Sequence, residues 1–185
     1  IGAFDAFAEL IPIAHRHGAW VHVDGAFGLW AAASERYRHL LLGAATADSW
    51  TTDGHKWLNV PYDCGFAFVA EPQSHRAAMS FQASYVTHHD DVREQKDWNP
   101  EWSRRARGVA TYAAIRELGT RGVADLVVRN CAAAHAIVTG IATPRGGGDP
   151  EQADAQVGVR MMWEPRLNQV LVRFDDDDAT TRAVI

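Results

Sequence analysis

The chain has 185 residues, of which 47% are hydrophobic and 22% are charged, and its formal net charge is −5. This composition is typical of a globular protein with one sizeable core, or with one domain and part of another. The negative charge and a pI near 6.0 argue against a nucleic-acid partner and against an anionic membrane surface. Binding to either would not be favoured by counterion release, because that requires an excess of basic residues on the protein. Two cysteines, Cys64 and Cys131, provide no disulfide framework and favour a reducing, cytoplasmic location.

The first part of the chain predicts strands that alternate with helices. A helix is predicted over Phe4–His17 and ends at Gly18, and a short buried strand over Trp20–Val23 then leads into Asp24. The segment "LWAAASERYRHLLLG" predicts a second helix that stops at Gly43, and "ADSWTTD" and "CGFAFVAE" predict two further strands. Strand, helix and strand with short connections indicate an α/β fold with a parallel sheet flanked by helices.

The second part of the chain begins with the polar segment "FQASYVTHHDDVREQKDWN", which has no clear period and predicts a functional loop. Helices are then predicted between Pro100 and Gly119 and over Val123–Ile141. The segment "VRMMWEPRLNQVLVRF" predicts a β-hairpin. The run Asp175–Asp178 lacks the spacing of a calcium-binding loop, so it predicts a helix N-cap, and no metal site is expected.

A domain boundary is predicted near Ala142, where "TPRGGGDPEQADAQ" has the composition of a linker and helical text gives way to hairpin text. Residues 1–141 are then part of a large domain, and residues 142–185 are a linker and the beginning of a small domain. Because the sequence starts at Ile1 and stops at "TTRAVI" inside helical text, we expect an internal fragment of a longer protein.

One lysine lies in an unusual context, the segment "TTDGHKWLNVPYDCG". The chain has only two lysines, Lys56 and Lys96, among 18 basic residues. Most lysines are solvated surface charges, but Lys56 follows the end of a predicted parallel strand, where open α/β sheets bind their ligands. The neutral amine of a partly desolvated lysine can attack a carbonyl and form a Schiff base.

Asp24 has a comparable position, since it ends a predicted buried strand and is followed only by Gly25 and Ala26. A buried carboxylate needs a cationic or hydrogen-bonding partner, although an isolated aspartate at such a place more often caps the next helix. Asp24 and Lys56 on adjacent strand ends match pyridoxal phosphate, which needs a lysine for its aldehyde and an acid for its pyridine nitrogen.

The two motifs "HVDGAFG" and "HKWLNVPYDCG", whose Asp24 and Lys56 are 32 residues apart, resemble the group II pyridoxal-phosphate-dependent amino-acid decarboxylases. That family includes the aromatic-amino-acid, histidine and glutamate decarboxylases, all of fold type I. The resemblance implies part of a large, mainly parallel sheet domain and the start of a small C-terminal α+β domain. It also implies a cytoplasmic homodimer of amino-acid metabolism that converts an L-amino acid into its amine and carbon dioxide.

The resemblance implies a role for individual residues around the cofactor. Lys56 would form the Schiff base, Asp24 would pair with the pyridine nitrogen, and Ala26 would pack its methyl group against one face of the ring. His55 would lie near the phosphate. Asp53 falls where relatives present a polar neighbour of the phosphate, although a carboxylate there would be repelled unless rotated away or protonated.

Tyr85, in the polar loop, falls where family members carry a tyrosine that reaches the neighbouring subunit's site and protonates the substrate after carbon dioxide leaves. Without the resemblance it would be an ordinary exposed tyrosine. Gly25 stands where many relatives have alanine, which we expect to be a mild change. The family's phosphate-binding loop and ring-stacking histidine precede Ile1, so the chain alone is expected to bind the cofactor poorly and to be inactive.

Three other interpretations stay open at this point. Another fold type I enzyme, such as a sphingosine-phosphate-lyase-like or desulfurase-like protein, usually follows His-Lys with a Gly-rich or Pro-Lys-Gly stretch, which "HKWLNVPYDCG" lacks. A non-catalytic protein that keeps the fold as an interaction surface would have little reason to keep Asp24, Lys56 and Tyr85 together. An α/β domain without a cofactor would require the motif to be a coincidence.

Overall fold

The computed structural model describes residues 2–81, 92–142 and 158–184, and they form two compact units. The sheet unit comprises Ala6–Leu29 and the described residues of 42–119. The hairpin unit comprises residues 2–5, Trp30–Leu41 and the described residues from Thr120 onwards. Lys56 and Asp24 both belong to the sheet unit.

The sheet unit is built on three strands in the order β1-β2-β3. They are β1 (His22–Asp24), β2 (Ser49–Asp53) and β3 (Gly65–Val69). β1 pairs parallel to β2, as the sequence predicts. The first predicted strand is shifted, however, because Trp20 lies outside β1 with 56% of its surface exposed, and only Val23 of β1 is buried.

β3 departs from the parallel arrangement that the strand-helix-strand pattern predicts, because it pairs antiparallel to β2. Between β2 and β3 lies only a single-turn helix, α2 (Gly54–Trp57), followed by irregular chain. A parallel return needs a longer crossover, usually with a full helix packed on the sheet. The short connection therefore leads to a mixed sheet.

One helix precedes these strands in the chain and another follows them. Helix α1 (Phe7–Arg16) contains Pro12 and ends before Gly18, whose φ of +67° is the left-handed conformation predicted for this position. Ile11 of α1, only 1% exposed, forms a small core with residues of the strand region: Val23 and Ala47, bordered by Phe7, Val21 and Trp50. Helix α3 (Pro72–Met79) follows β3, and the side chain of Glu71 caps its first turn.

The predicted helix over "LWAAASERYRHLLLG" is wrong. The structure has short 3₁₀ segments at Gly28–Ala33, Arg38–Leu41 and Ala44–Thr46 instead. Ser34 interrupts the run, since its carbonyl oxygen accepts hydrogen bonds from the amides of Tyr37 and Arg38 and so begins a new turn. Serine favours such cap and turn positions over helix interiors.

The helical run α4 (Arg107–Ala142) is broken at Gly119, which has φ +61° and ψ −178°. This confirms the predicted end of one helix at Gly119 and a second helix after it. The run begins at Arg107 and not near Pro100. At this start, the side chains of Arg105 and Arg107 donate to the carbonyl oxygen of Tyr62 and to the carboxylate of Asp63.

The hairpin unit contains β4 (Val159–Met161) and β5 (Val172–Phe174), which pair antiparallel as predicted. Helix α5 (Asp178–Val184) follows. The carboxylate of Asp177 accepts hydrogen bonds from the amide and hydroxyl of Thr180, at 2.6 and 2.8 Å, so the aspartate run supplies the predicted N-cap. Within the described ranges, no cluster of three His, Cys, Asp or Glu side chains is arranged to hold a metal ion.

None of the helices in the described part of the chain is both long and apolar enough to cross a membrane.

Candidate active site

The carboxyl ends of β1 and β2 lie side by side in the sheet unit. Asp24, the last residue of β1, is opposite Thr51 of β2, and β2 continues to Asp53 before α2 begins. Lys56 lies in that single turn of helix. Asp24 and Lys56 therefore follow neighbouring parallel strands at the same edge of the sheet, which is the arrangement predicted from the sequence.

The turn after β1 is held tightly against β2. The amide of Gly25 donates to the carbonyl oxygen of Thr51 at 2.9 Å, and a Cβ at Gly25 would lie 2.9 Å from that oxygen and 2.7 Å from Cβ of Leu29. Both separations are shorter than real Cβ contacts. The close approach of two backbones therefore favours glycine at this position.

Ala26 links the two strand ends. Its amide donates to Oδ1 of Asp24 at 3.1 Å, and its carbonyl oxygen accepts from the amide of Asp53 at 3.2 Å. The residues predicted to surround the cofactor's ring and phosphate are thus joined by hydrogen bonds to the main chain of Ala26. The carboxylate of Asp24 stays exposed, so it can accept a further hydrogen bond.

The amine of Lys56 points to Asp53, with Nζ 2.8 Å from Oδ2. The Lys56 side chain is 38% exposed, so it is less buried than its apolar neighbours suggest. Trp57 and Leu58, by contrast, are 3% and 4% exposed, and the Trp57 ring packs against Phe27 with a centroid distance of 5.3 Å. The buried neighbours anchor α2 and leave the amine at the surface of the edge.

His55 is held by the backbone of Cys64. Its Nδ1 lies 3.0 Å from the Cys64 amide and 2.9 Å from the Cys64 carbonyl oxygen. The Cys64 amide can only donate, so we assign Nδ1 as its acceptor and place the ring proton on Nε2. Nε2 lies 3.7 Å from Oδ2 of Asp53, the same oxygen that contacts Lys56.

Sequence reasoning missed the function of Cys64 and of the segment around it. The thiol of Cys64 is buried and lies 2.9 Å from the hydroxyl of Thr111, and its main chain also orients His55. Next to it, the guanidinium of Arg107 donates to Asp63 and holds the pKa of that carboxyl below its usual value. Backbone contacts and distant partners of this kind leave no mark in the local sequence.

The second lysine has a different environment. The ammonium of Lys96 contacts the carboxylate of Glu94 and lies 3.6 Å from Oδ1 of Asp97, and its side chain is 21% exposed. Tyr85, the remaining predicted site residue, lies outside the described residues.

A cavity of about 560 Å³ opens at the other edge of the sheet, where β2 begins and β3 ends. Asp48, Trp50 and Phe68 are among its lining residues, together with His75 and Trp98. It contains neither Asp24 nor Lys56, so it is separate from the candidate site.

Comparison with known proteins places this chain in a family. The sequence model described as the pyridoxal-dependent decarboxylase conserved domain matches residues 1–145. The aromatic-L-amino-acid decarboxylase of Drosophila lebanonensis is 31% identical over 131 residues, which are 70% of this chain and 32% of that protein. The tyrosine decarboxylase of Oryza sativa subsp. japonica is 34% identical over 147 residues, 75% of this chain and 28% of that protein. The chain thus spans less than a third of the length of these relatives.

Solved structures show the same architecture. The structure of Oryza sativa TDC, crystallised with PLP and tryptamine, matches this chain with a TM-score of 0.81 at 23% identity. The match covers 98% of this chain and 38% of the TDC chain. The structure of mouse CSAD matches with a TM-score of 0.77 at 24% identity, and the match covers 93% of this chain and 34% of the CSAD chain. The fold is that of the fold type I enzymes, which confirms the predicted α/β class. The chain belongs to the pyridoxal-dependent decarboxylase family, whose cofactor is pyridoxal phosphate.

The side chains at the sheet edge fit two parts of that cofactor. Lys56 offers an amine for the aldehyde, and Asp24 offers an exposed carboxylate for the pyridine nitrogen. The fit is poorer at the phosphate, because Asp53 is a carboxylate and would repel it.

Proposed function

We propose that the protein containing this chain decarboxylates an L-amino acid with pyridoxal phosphate, releasing the amine and carbon dioxide. The observation that carries the proposal is the position of Asp24 and Lys56 at the ends of two adjacent parallel strands, in a chain of the pyridoxal-dependent decarboxylase family. When bound, the cofactor supplies an aldehyde that condenses with amines and a ring that accepts electrons as the carboxylate leaves.

Lys56 and Asp24 have the principal roles in this proposal. Lys56 attaches the cofactor covalently through Nζ, which its exposed side chain makes accessible. Asp24 keeps a proton on the pyridine nitrogen, because a carboxylate beside that nitrogen stabilises the protonated ring. Ala26 follows Asp24 at the same turn, where its methyl group can pack against the ring.

His55 is the side chain best suited to the phosphate. The Cys64 amide holds Nδ1, so Nε2 carries the proton and can donate to an anionic oxygen. Tyr85 remains the proposed proton donor to the substrate after carbon dioxide leaves, by family resemblance alone.

Aromatic L-amino acids are the first substrates to test. The support for this class comes from the relatives, an aromatic-L-amino-acid decarboxylase at 31% identity and a tyrosine decarboxylase at 34%. Release of amine from tyrosine, tryptophan and phenylalanine, compared with glutamate and histidine as controls, measures the preference directly.

The attachment residue is tested by reduction and peptide mapping. We expect borohydride treatment of the full-length protein with pyridoxal phosphate to label Lys56, and Lys56→Arg to lose both the label and several orders of magnitude in turnover. Lys96→Arg is the matched control, because it changes the only other lysine of the chain and should keep both. A label on Lys96 with none on Lys56 would refute the assignment.

A further inference from the structure

One carboxylate oxygen at the candidate site faces two basic side chains. Oδ2 of Asp53 lies 2.8 Å from Nζ of Lys56 and 3.7 Å from Nε2 of His55. The side chain of Asp53 is 21% exposed, and those of Lys56 and His55 are 38% and 14% exposed. The shorter of the two distances is that of a charge-assisted hydrogen bond, and the longer one is an electrostatic contact only.

The backbone fixes all three groups in this arrangement. Asp53 ends β2, and its amide donates to the carbonyl oxygen of Ala26. Asp53 directly precedes helix α2, and Lys56 lies in that helix, three residues after Asp53. His55 is held through Nδ1 by Cys64, so its Nε2–H is the donor on the side of Asp53. The contact between Asp53 and Lys56 therefore follows from the geometry of the strand end.

We propose that Asp53 is a positioning residue for Lys56, whose carboxylate holds the lysine ammonium at the sheet edge until the cofactor arrives. The proposal rests on the proposed function of Lys56. It replaces the role beside the phosphate that family resemblance implies for Asp53, since a carboxylate would repel that group and this one already has a cation at 2.8 Å.

The proposal has a kinetic consequence for attachment of the cofactor. An ammonium does not add to an aldehyde, so Lys56 must first release a proton to solvent. The amine nitrogen then bonds to the aldehyde carbon, and the aldehyde oxygen leaves as water, so the condensation needs no oxidant or reductant. The 2.8 Å contact between Nζ and Oδ2 of Asp53 must also be broken before the amine nitrogen can reach the aldehyde. Removing its charge should therefore accelerate the condensation.

Pyridoxal, which lacks the phosphate, separates this role from one at the phosphate. If Asp53 acts on Lys56, replacing it changes the rate of condensation with pyridoxal and with pyridoxal phosphate alike. If Asp53 acts through repulsion of the phosphate, only the rate with pyridoxal phosphate changes.

The experiment uses the full-length protein stripped of cofactor, with either aldehyde at fixed pH, borohydride trapping at intervals and peptide mapping of Lys56. We expect Asp53→Asn to label Lys56 about two- to fivefold faster than the wild type with both aldehydes, the size of effect that a partly exposed ion pair allows. Asp53→Glu keeps the charge and should return the rate towards that of the wild type. Asp53→Ser removes the charge in a second way and serves if the asparagine variant does not fold.

Glu94→Gln is the matched control, because Glu94 contacts the other lysine, Lys96, and its loss should leave labelling of Lys56 unchanged. An unchanged rate with pyridoxal in both charge-removing variants would overturn the proposal, as would an effect confined to pyridoxal phosphate. Failure of the wild type to label Lys56 at all is a different result, which would refute the proposed function itself.

Discussion

Gly25 directly follows Asp24, and the atoms around it leave no room for a side chain at this position. We predict that Gly25→Ala lowers the free energy of unfolding by about 1–3 kcal/mol, the usual cost of forcing an extra group into a closely packed place. The reason is that the new Cβ would lie 2.7 Å from Cβ of Leu29 and 2.9 Å from the carbonyl oxygen of Thr51. Urea unfolding monitored by circular dichroism measures this difference.

Gly108→Ala is the control for that measurement, since a Cβ at Gly108 meets no atom within 4 Å and the residue lies in α4. It should be neutral or slightly stabilising, because alanine favours helix more than glycine does. Equal stability of the Gly25→Ala variant and the wild type would show that the turn after β1 can move away from β2.

At the scale of single elements, the N-terminus of α5 depends on Asp177. The amide and hydroxyl of Thr180 donate to its carboxylate and hold the pKa of Asp177 below its usual value. A carboxyl whose pKa is lower in the folded state than in the unfolded state stabilises the fold when it is ionised. This stabilisation is complete above the unfolded-state pKa, about 3.9, and is lost as the pH falls through the lower folded-state pKa.

We therefore predict that Asp177→Ala lowers the melting temperature at pH 7 and that its difference from the wild type shrinks below about pH 4. Thermal unfolding at several pH values measures this. Asp125→Ala, which removes an exposed carboxylate inside α4, should show no comparable change. A difference for Asp177→Ala that stays constant down to pH 2 would contradict the capping role.

At the scale of the whole molecule, we propose that the full-length protein is a cytoplasmic homodimer in which Tyr85 acts in the neighbouring subunit's site. We predict that Tyr85→Phe keeps the label on Lys56 but slows amine formation, because the phenylalanine ring has no proton to donate. Mixed dimers of Tyr85→Phe and Lys56→Arg then contain one site with both intact groups. In a random mixture half of the dimers are mixed, and one of the two sites in each mixed dimer is intact. About a quarter of the wild-type number of sites should therefore be active.

Light scattering establishes the dimer, and amine release after mixing measures the complementation. If Tyr85 served its own subunit, every site in the mixed dimers would lack one group and no activity would return. A wild-type rate in Tyr85→Phe alone would make Tyr85 an ordinary loop residue.

The predicted boundary near Ala142 also remains a proposal at this scale. The family match ends at residue 145, and the residues from 143 to 157 lie outside the described part of the chain.

Features that depend on neighbouring residues could be predicted from the sequence. Gly18 and Gly119 adopt the positive φ that ends a helix, and Asp177 caps α5 as its place before a helical segment indicates. The ends of β1 and β2 at Asp24 and Asp53 were also close to their predicted positions. Each of these follows from backbone preferences and hydrogen bonds over a few residues.

The sequence by itself determined the family, the residues with candidate chemistry and the strand ends that carry them, because motif and local conformation lie in contiguous text. Only the tertiary structure decided that β3 returns antiparallel, that Gly25 has no room for a Cβ, and that Oδ2 of Asp53 contacts Lys56. It also decided that Cys64 orients His55. These features depend on distances between atoms that the folded chain brings together from separate turns and strands, and residue order alone does not specify them.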